Sequence, residues 1–373
     1  MNINEREIIR QFLATISRGG IKPRDYSFEP LLDGRLHRFP IEGDRGSEKS
    51  GGYCVYTDKR PAGWAKDFRQ NITVKFRYDL SDSEKRAYAR EMNDSESRAK
   101  YESERKEVER RKAEERRLHE ENVRTHQRLA FAEWHYADSS IERHPYLRSR
   151  FTDLGIYILD NGSKYGIFRT IYANDYTRII RFPLKYCTAT LPGGKCERGQ
   201  LLVPMVDVLT DSFRTLIRVM AEPTPDGKYM KPYYPVISPT GSAFILAPNP
   251  IEQADCLYVA EGFCTGLAVF VLTCERSYKG SNSPVFSAGG SNNLLPVCTA
   301  LRKRYPDKKI IVMADDDRAT KAKTGHNPGI EAAENCVKAG VADYYKAPPV
   351  HDVRNFDWYD FLKELYTNRK KGY

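Results

Sequence analysis

The chain has 373 residues, enough for two or three domains, and no apolar run long enough to cross a bilayer. Its 60 Lys and Arg against 50 Asp and Glu give a net charge of +10 and a pI of about 9.0. That balance favours a polyanionic partner, because basic side chains that neutralise phosphates release counterions. The eight cysteines (54, 187, 196, 256, 264, 274, 298 and 336) include no C-x-x-C pair, so neither a zinc ribbon nor a disulfide framework is expected, and a reducing cytoplasmic compartment fits this usage.

The opening "MNINEREIIRQF" reads as an amphipathic helix rather than a signal peptide, because it lacks an uninterrupted apolar core. "RLHRFPIEG" and "GGYCVYTDKRPAGWAKDFRQNITVKFRY" read as short strands, with turns at Asp58-Lys59 and Pro61-Ala62-Gly63. Residues 1–80 are thus a small β-rich module, in which His37 is a strand residue. Trp64 reads as a core tryptophan, the alternative being a platform for stacking bases. From Trp64 to His144 there is neither proline nor glycine, and "SESRAKYESERKEVERRKAEERRLHEENVRTHQRLAFAEW" is dense in Glu, Arg and Lys. The spacing of Glu104, Glu107, Arg111 and Glu114 supports a solvated helix laced by ion pairs. A linker helix over 81–140 would span roughly 90 Å. It has too few apolar residues for a coiled-coil seam. A spacer is preferred to arginines tracking a nucleic-acid backbone.

"HPYL" marks a new start. "LLVPMVDVL", "FRTLIRVMAE" and "SAFILAP" are further strands, with a turn at Pro225-Asp226-Gly227, so residues 141–250 read as a β-rich α+β subdomain. In "KPYYPV", Tyr233 and Tyr234 read as packing residues rather than base-stacking ones. From Asp255 strand and helix alternate four times: "CLYVAEG" then "FCTGLAVFVLT", "PVFSAGG" then "NNLLPVCTALRKRY", "KKIIVMADDD" then "NPGIEAAENCVKAG", "ADYYKAP" then "DWYDFLKELY". That spacing demands parallel crossovers, which makes 251–373 a doubly wound α/β domain of about four parallel strands. Asn327 at an N-cap, Pro328 in the first turn and Gly340 past the end mark one of its helices.

In such a sheet ligands bind beyond the carboxyl ends of the strands. There the first strand ends at Glu261-Gly262 and the third at Asp315-Asp316-Asp317, while Asp357 and Asp360 open the last helix near the same edge. If the chain stays extended, Asp315 and Asp317 point the same way. Two hard oxygen donors facing together suit Mg²⁺ or Mn²⁺, with the neighbouring acids sharing the ion. Acidic residues also cap helices and close strands, so a lone D-x-D says little. A strand-terminal Glu-Gly followed about fifty residues later by a strand-terminal D-x-D is far more specific.

"LYVAEGFCTGLAV" followed by "KKIIVMADDDRAT…NPGIEAA" resembles the Toprim domain of DNA primases, in the versions found in satellite-phage alpha-type and conjugative-plasmid enzymes. Glu261, Gly262, Phe263 and Thr265 match its glutamate motif, with Gly266 at the small position, and Asp315 and Asp317 match its D-x-D. "DWYD" resembles a late acidic element through Asp357 and Asp360, and "SNNLL" an asparagine turn, with Asn293 as the match. "HPYL…LLVPMVD…DGKYMK" is similar to the subdomain that precedes Toprim, and "DGRLHRF…GGYCVYTDKRPAGWAKDF" to a zinc-free N-terminal module.

The resemblance implies a DNA primase of a phage or plasmid: a nucleotidyltransferase that makes short primers from nucleoside triphosphates on single-stranded DNA with Mg²⁺ or Mn²⁺. It implies Glu261, Asp315 and Asp317 as catalytic and metal-binding, and Asp357 and Asp360 as holders of a second ion. Arg218, Lys228 and Lys231 are candidates for contacting triphosphate or template, and Asn293 for binding substrate. No G-x-x-x-x-G-K-[ST] helicase motif and no zinc module occur, so the β module or a partner such as a replicative helicase acting in trans would hold the template. The rivals are a Toprim-type metal-dependent nuclease using the same acids and a non-catalytic nucleic-acid-binding replication accessory protein. A receiver domain is a weaker rival, since it would place an acidic pair at the first strand.

Overall fold

A computed structural model describes residues 4–44, 46–57, 60–70, 72–93, 95–141, 144–160, 166–170, 184–247, 251–276, 283–349 and 354–370. The expected Asp58-Lys59 turn lies outside them. The chain forms two compact units, Met1–Glu115 and Arg116–Tyr373. Among the described residues no helix is long and apolar enough to cross a membrane.

The first unit begins with helix α1 (Glu5–Arg18), whose N-cap Asn4 accepts a hydrogen bond from the Arg6 amide. Strands β1 (His37–Phe39), β2 (Gly51–Tyr56), β3 (Ala62–Asp67) and β4 (Ile72–Arg77) form an antiparallel meander in that order. Ala62 and Gly63, expected in a turn, are instead the first residues of β3. Ile8, Phe12 and Ile16 lie one helical turn apart and bury themselves with Phe39, Tyr53, Val55 and Phe76 from one face of the sheet. Helix α2 (Asp82–Asn93) opens with a capping box, in which Ser81 and Glu84 bond each other's backbone amides at 3.4 and 2.7 Å. Helix α3 (Ser95–Tyr136) has 42 residues and bears Arg105–Glu109, Arg110–Glu107 and Arg117–Glu121 pairs, as the charge pattern leads one to expect.

In the second unit the end of α3 is no longer solvated. Ala130 and Trp134 bury themselves with Leu202, Leu216 and Tyr234. Glu133, 4% exposed, accepts from the Lys195 and Cys196 amides and from the Tyr234 hydroxyl, the last at 2.5 Å. Helix α4 (Pro145–Arg150) follows, then the hairpin β5 (Ile156–Asp160) and β6 (Gly166–Thr170). Strands β7 (Lys185–Tyr186), β8 (Leu201–Asp207), β9 (Phe213–Val219) and β10 (Ser242–Leu246) are antiparallel to their neighbours.

Next come β11 (Cys256–Ala260), α5 (Phe263–Arg276), β12 (Val285–Ser287), α6 (Leu294–Arg304), β13 (Lys309–Met313), β14 (Asp316–Asp317), α7 (Arg318–Thr324), α8 (Pro328–Lys338), β15 (Tyr344–Lys346), β16 (Asn355–Phe356) and α9 (Trp358–Lys370). The main sheet runs β15-β13-β11-β12-β10-β8-β7, with β9 on β8. Its β15, β13, β11 and β12 are mutually parallel, and β12 continues antiparallel into β10. Both faces are covered. Ala260, Ile311 and Met313 pack under α5 and α9, while Leu257, Val259, Ile310 and Val312 pack under α6 and α8. This two-sided burial is why the parallel strands read as unbroken apolar runs. The protein is therefore a multidomain mixed α/β chain.

Glu133 is the polar anchor of the α3 terminus, and its removal would leave three donors without an acceptor, two of them buried and the Lys195 amide partly so. Glu133→Ala should lower stability by about 3 kcal/mol, and Tyr234→Phe by only about 1 kcal/mol, read from denaturant midpoints of the transition of the second unit. Equal losses in the two variants would contradict the three-donor account.

Candidate active site

Ala260 of β11 lies opposite Met313 of β13 in register, so the next residues of both strands leave the sheet side by side at its carboxyl edge. Glu261 follows the first strand directly, and Asp315 lies two residues beyond the second. The Glu261 carbonyl accepts from the Gly289 amide at 2.7 Å, which carries the sheet pairing one residue past β11. Its carboxylate takes the Ser291 amide, yet burial first and Asp317 next push its pKa up to about 6. Asp315 bonds Thr265, but burial, with the charges of Glu261, Asp357 and Asp317 behind it, holds its pKa well above the usual carboxylate range. Although Asp315 is only half-buried as a residue, its Oδ1 has no accessible surface and no hydrogen-bond partner.

The middle aspartate has a different task. Asp316 is 7% exposed and is bonded by Arg318 Nε and Asn327 Nδ2, both at 2.8 Å. Asn327 Oδ1 in turn accepts from the Asp317 and Ile330 amides, so one side chain caps α8 and fixes the acidic loop. Asp317 accepts from the Gly329 amide at 3.2 Å, at the N-terminus of α8. Gly329 is required there, because a Cβ would collide with the Asp315 carbonyl oxygen. Asp316 and Asp317 do not simply end a strand: as β14 they pair antiparallel with Phe356 and Asn355 of β16. That pairing brings Asp357 to the same rim, where burial first and then Asp360 raise its pKa. Asp357 and Asp360 also bond each other's amides, at 2.8 and 3.2 Å, as a reciprocal cap on α9.

Two cations face these acids. The Lys231 residue keeps solvent contact, but its ammonium sits over the Tyr146 and Phe263 rings, 5.0 and 5.7 Å from their centroids. Crowding there lowers its pKa, opposed by the charges of Asp357 and Asp315. Arg150, at the end of α4, lies between the Tyr146 and Tyr359 rings at 4.7 and 4.8 Å and within the field of Asp357. Sequence reading passed over Arg150. "HPYLRSR" carries two arginines, and only the fold of α4 against α9 and the acidic loop tells them apart.

The other basic candidates are placed elsewhere. Residues 230–234 run beside β9, through Arg218 N to Pro232 O and Met220 N to Met230 O, so alternate side chains take opposite faces. Lys231 thus faces Tyr146, whereas Arg218 turns to the carbonyls of Lys195 and Tyr233 and to the Tyr234 ring. Lys228 is exposed at a turn and paired with Asp226 at 3.2 Å. Asn293 is 7% exposed and fully used: its amide group donates to the Ala288, Ser242 and Pro239 carbonyls and its oxygen accepts from Gly241. It is a positioning residue for the turn that presents the Ser291 amide to Glu261. Tyr234 is buried and Tyr233 half-buried, both as packing residues.

Among the described residues no three His, Cys, Asp or Glu side chains form a ready-made chelating cluster. The donors nevertheless fit a divalent cation in kind. They are hard carboxylate oxygens, one of them buried without a partner and held near like charges.

Over 318 residues, 83% of this chain, the sequence is 25% identical to a DNA primase TraC of Escherichia coli. A second Escherichia coli protein of that name is 32% identical over 91 residues, 24% of this chain. The matches span about a quarter (24%) of the length of the first relative and 6% of the second. No protein-family model matches the sequence, and no solved structure matches it. The chain is thus similar over most of its length to a DNA primase.

The raised pKa of Glu261 sets a pH dependence. The folded state holds a proton between pH 4.5 and about 6 that the unfolded state has lost. The resulting stability is fully present below pH 4.5 and is lost as pH rises through about 6. Without divalent ions, thermal melts from pH 4 to 7 should therefore show the wild type losing more stability than Glu261→Gln on going up that range. Parallel curves would remove Glu261 from the buried cluster.

Proposed function

We infer that this chain has DNA primase activity, that its parallel-stranded region is a Toprim domain, and that the acidic rim with Arg150 and Lys231 is the catalytic site. One observation carries the reading: strand-end carboxylates 54 positions apart in sequence, Glu261 and Asp315, lie half-buried on one rim with Asp317 and Asp357, close enough for their charges to act on one another, and two cations face them. The similarity to DNA primase TraC supports it independently. The substrates are nucleoside triphosphates and a single-stranded DNA template, and the setting that the resemblance implies is replication of a phage or plasmid.

In the reaction a nucleotide 3′-hydroxyl attacks the α-phosphorus of a triphosphate. A new 3′-oxygen–phosphorus bond forms, and the bond from that phosphorus to the oxygen bridging to the β-phosphate breaks, releasing pyrophosphate. Asp315 and Asp317, with Glu261, would hold Mg²⁺ or Mn²⁺. When bound, such an ion supplies activation of the hydroxyl and neutralisation of the leaving pyrophosphate. Glu261, at the end of β11 beside Asp317, would either share that ion or take the hydroxyl proton. Arg150 is always charged and is held between two rings, so it presents its donors to the triphosphate without losing much side-chain freedom. Lys231 adds a second cation beside it. Tyr146, Phe263 and Tyr359 wall this side and limit access of water, which would otherwise compete with the hydroxyl. Asp357 and Asp360 cap α9 and shape the rim, and a second ion there would have to compete with their bonds to each other's amides.

Incubation with single-stranded DNA, labelled triphosphates and Mg²⁺ or Mn²⁺ should yield short template-dependent products. Asp315→Asn with Asp317→Asn should abolish them while leaving the melting temperature equal or higher in the absence of divalent ions, because repulsion is relieved. Arg150→Ala and Lys231→Ala should each reduce kcat/KM for triphosphate by about tenfold or more, mainly through KM. DNA cleavage without triphosphate, blocked by Glu261→Gln, would overturn the primase reading in favour of a nuclease.

A further inference from the structure

The face of the four-stranded sheet turned away from α1 has no part in the acidic site. The register fixes its membership: Cys54 lies opposite Trp64, Trp64 opposite Lys75, and Arg38 opposite Gly52, which lies opposite Lys66. Directly opposed residues share a face, and so do residues two apart. Arg38, Lys66, Lys75 and Arg77 therefore project on one side, with Tyr56, Trp64 and Thr73. No Asp or Glu of β1 to β4 joins them, since Asp67 points inward and is 2% exposed. Among the described residues Lys66, Lys75 and Arg77 have no carboxylate partner.

The aromatic rings here are not core. Trp64 was expected in the interior, but strand alternation gives the core face to Ala65 and Gly63 and leaves Trp64 half-buried on the other side, outside the cluster formed with α1. Phe68, 43% exposed, lies across Gly52 with the Arg38 guanidinium 4.1 Å from its ring centroid. A shallow groove of about 560 Å³ opens between Trp64, Thr73, Lys75 and Arg77, with an apolar floor. Lys112 of α3, in the same unit, adds a cation 4.6 Å from the Tyr56 ring.

We propose that this face is a binding platform for a single-stranded polynucleotide, with Trp64 stacking on a base and Lys75, Arg77 and Lys66 contacting the phosphates beside it. Charge and ring chemistry select this occupant. Cations without a carboxylate partner, on strands that present no acid to this face, need a polyanion, and a half-buried ring in an apolar groove between them needs a flat apolar group attached to that polyanion. A duplex hides its bases and meets only the first requirement. The inference does not rest on the primase reading, because it concerns a different unit and needs no metal.

The test is binding by the full chain to fluorescently labelled single-stranded DNA of about 20 nucleotides, with EDTA present and no triphosphate. The same sequence as RNA and as duplex DNA provides the comparison. Lys75→Glu with Arg77→Glu should weaken single-strand binding at least tenfold and lower the slope of log Kd against log salt by about 1 to 2. Lys303→Glu with Lys363→Glu, on exposed positions of α6 and α9, changes the net charge equally and should cost far less. Trp64→Leu should weaken binding about fivefold or more with little change in salt slope, and Trp64→Phe should restore most of it. Thermal melts of each variant separate lost stacking from lost folding. The relative affinities of DNA and RNA identify which strand the platform holds. Equal effects from the two charge-reversed pairs, unchanged binding by a folded Trp64→Leu, or duplex binding as tight as single-strand binding would each overturn the proposal.

Discussion

Carboxylates drawn out of water beside one another repel, and the carboxyl edge of the parallel strands is arranged around that cost. Burial alone disfavours the ionised form of Glu261 and Asp315, and each neighbouring acid adds to it. A fold under no functional demand would be relieved of this by a single Asn. Instead, the surrounding backbone is fitted to hold the acids in place. Gly329 lets α8 approach the Asp315 carbonyl, Asn327 ties Asp316 and Asp317 to that helix, and Asn293 fixes the turn that gives Glu261 its one amide. The binding energy of a cation offsets such repulsion only when that cation is present. Were Mg²⁺ or Mn²⁺ to bind here as proposed, the stability of this rim would rise with the concentration of the ion.

Much of this arrangement could be read from the chain, and the reason is local. Strands buried on both faces give apolar runs, and their ends are announced by glycine and acid. Asn327, Pro328 and Gly340 mark the ends of α8 through side-chain and backbone chemistry within a few residues. What could not be read depends on partners far along the chain. The β14–β16 pairing joins residues about forty apart with only two residues a side, too short for any periodicity. Helix α7 is only seven residues long and is capped by Asn355 rather than by its own sequence. Arg150 and Arg148 are equivalent in the sequence; in the structure one is held between tyrosines and the other is exposed.

Alternation decided the remaining misplacements. Arg218 and Lys231 do belong to one sheet region, as their spacing suggests, but adjacent extended segments send them to opposite faces. Arg218 consequently stabilises the packing around Tyr234 and Cys196, and Lys231 meets the acids. Trp64 obeys the same rule. Its neighbour Ala65 takes the core position because α1 supplies Ile8, Phe12 and Ile16 from above, leaving no room on that face for an indole in β3. In each instance the residue type pointed to one environment, and a one-residue phase along the strand assigned another.

The charge of the chain takes on a different meaning once it is divided between sites. A rim of crowded carboxylates offers no attraction to the polyanion on which a primase would act, so electrostatic attraction for a template cannot originate at those acids. It would have to come from cations elsewhere, since the two that face the acids, Arg150 and Lys231, are too few to hold a long strand. In the proposed platform the face of the four-stranded sheet, whose strands present no acid there, would supply the missing attraction on a separate unit, with aromatic rings to distinguish a single strand from a duplex. Separating the two tasks lets the carboxylates keep the strong local field that a metal requires. A strand held on the same rim would need further cations beside Arg150 and Lys231, and these would weaken that field and any affinity for a metal with it.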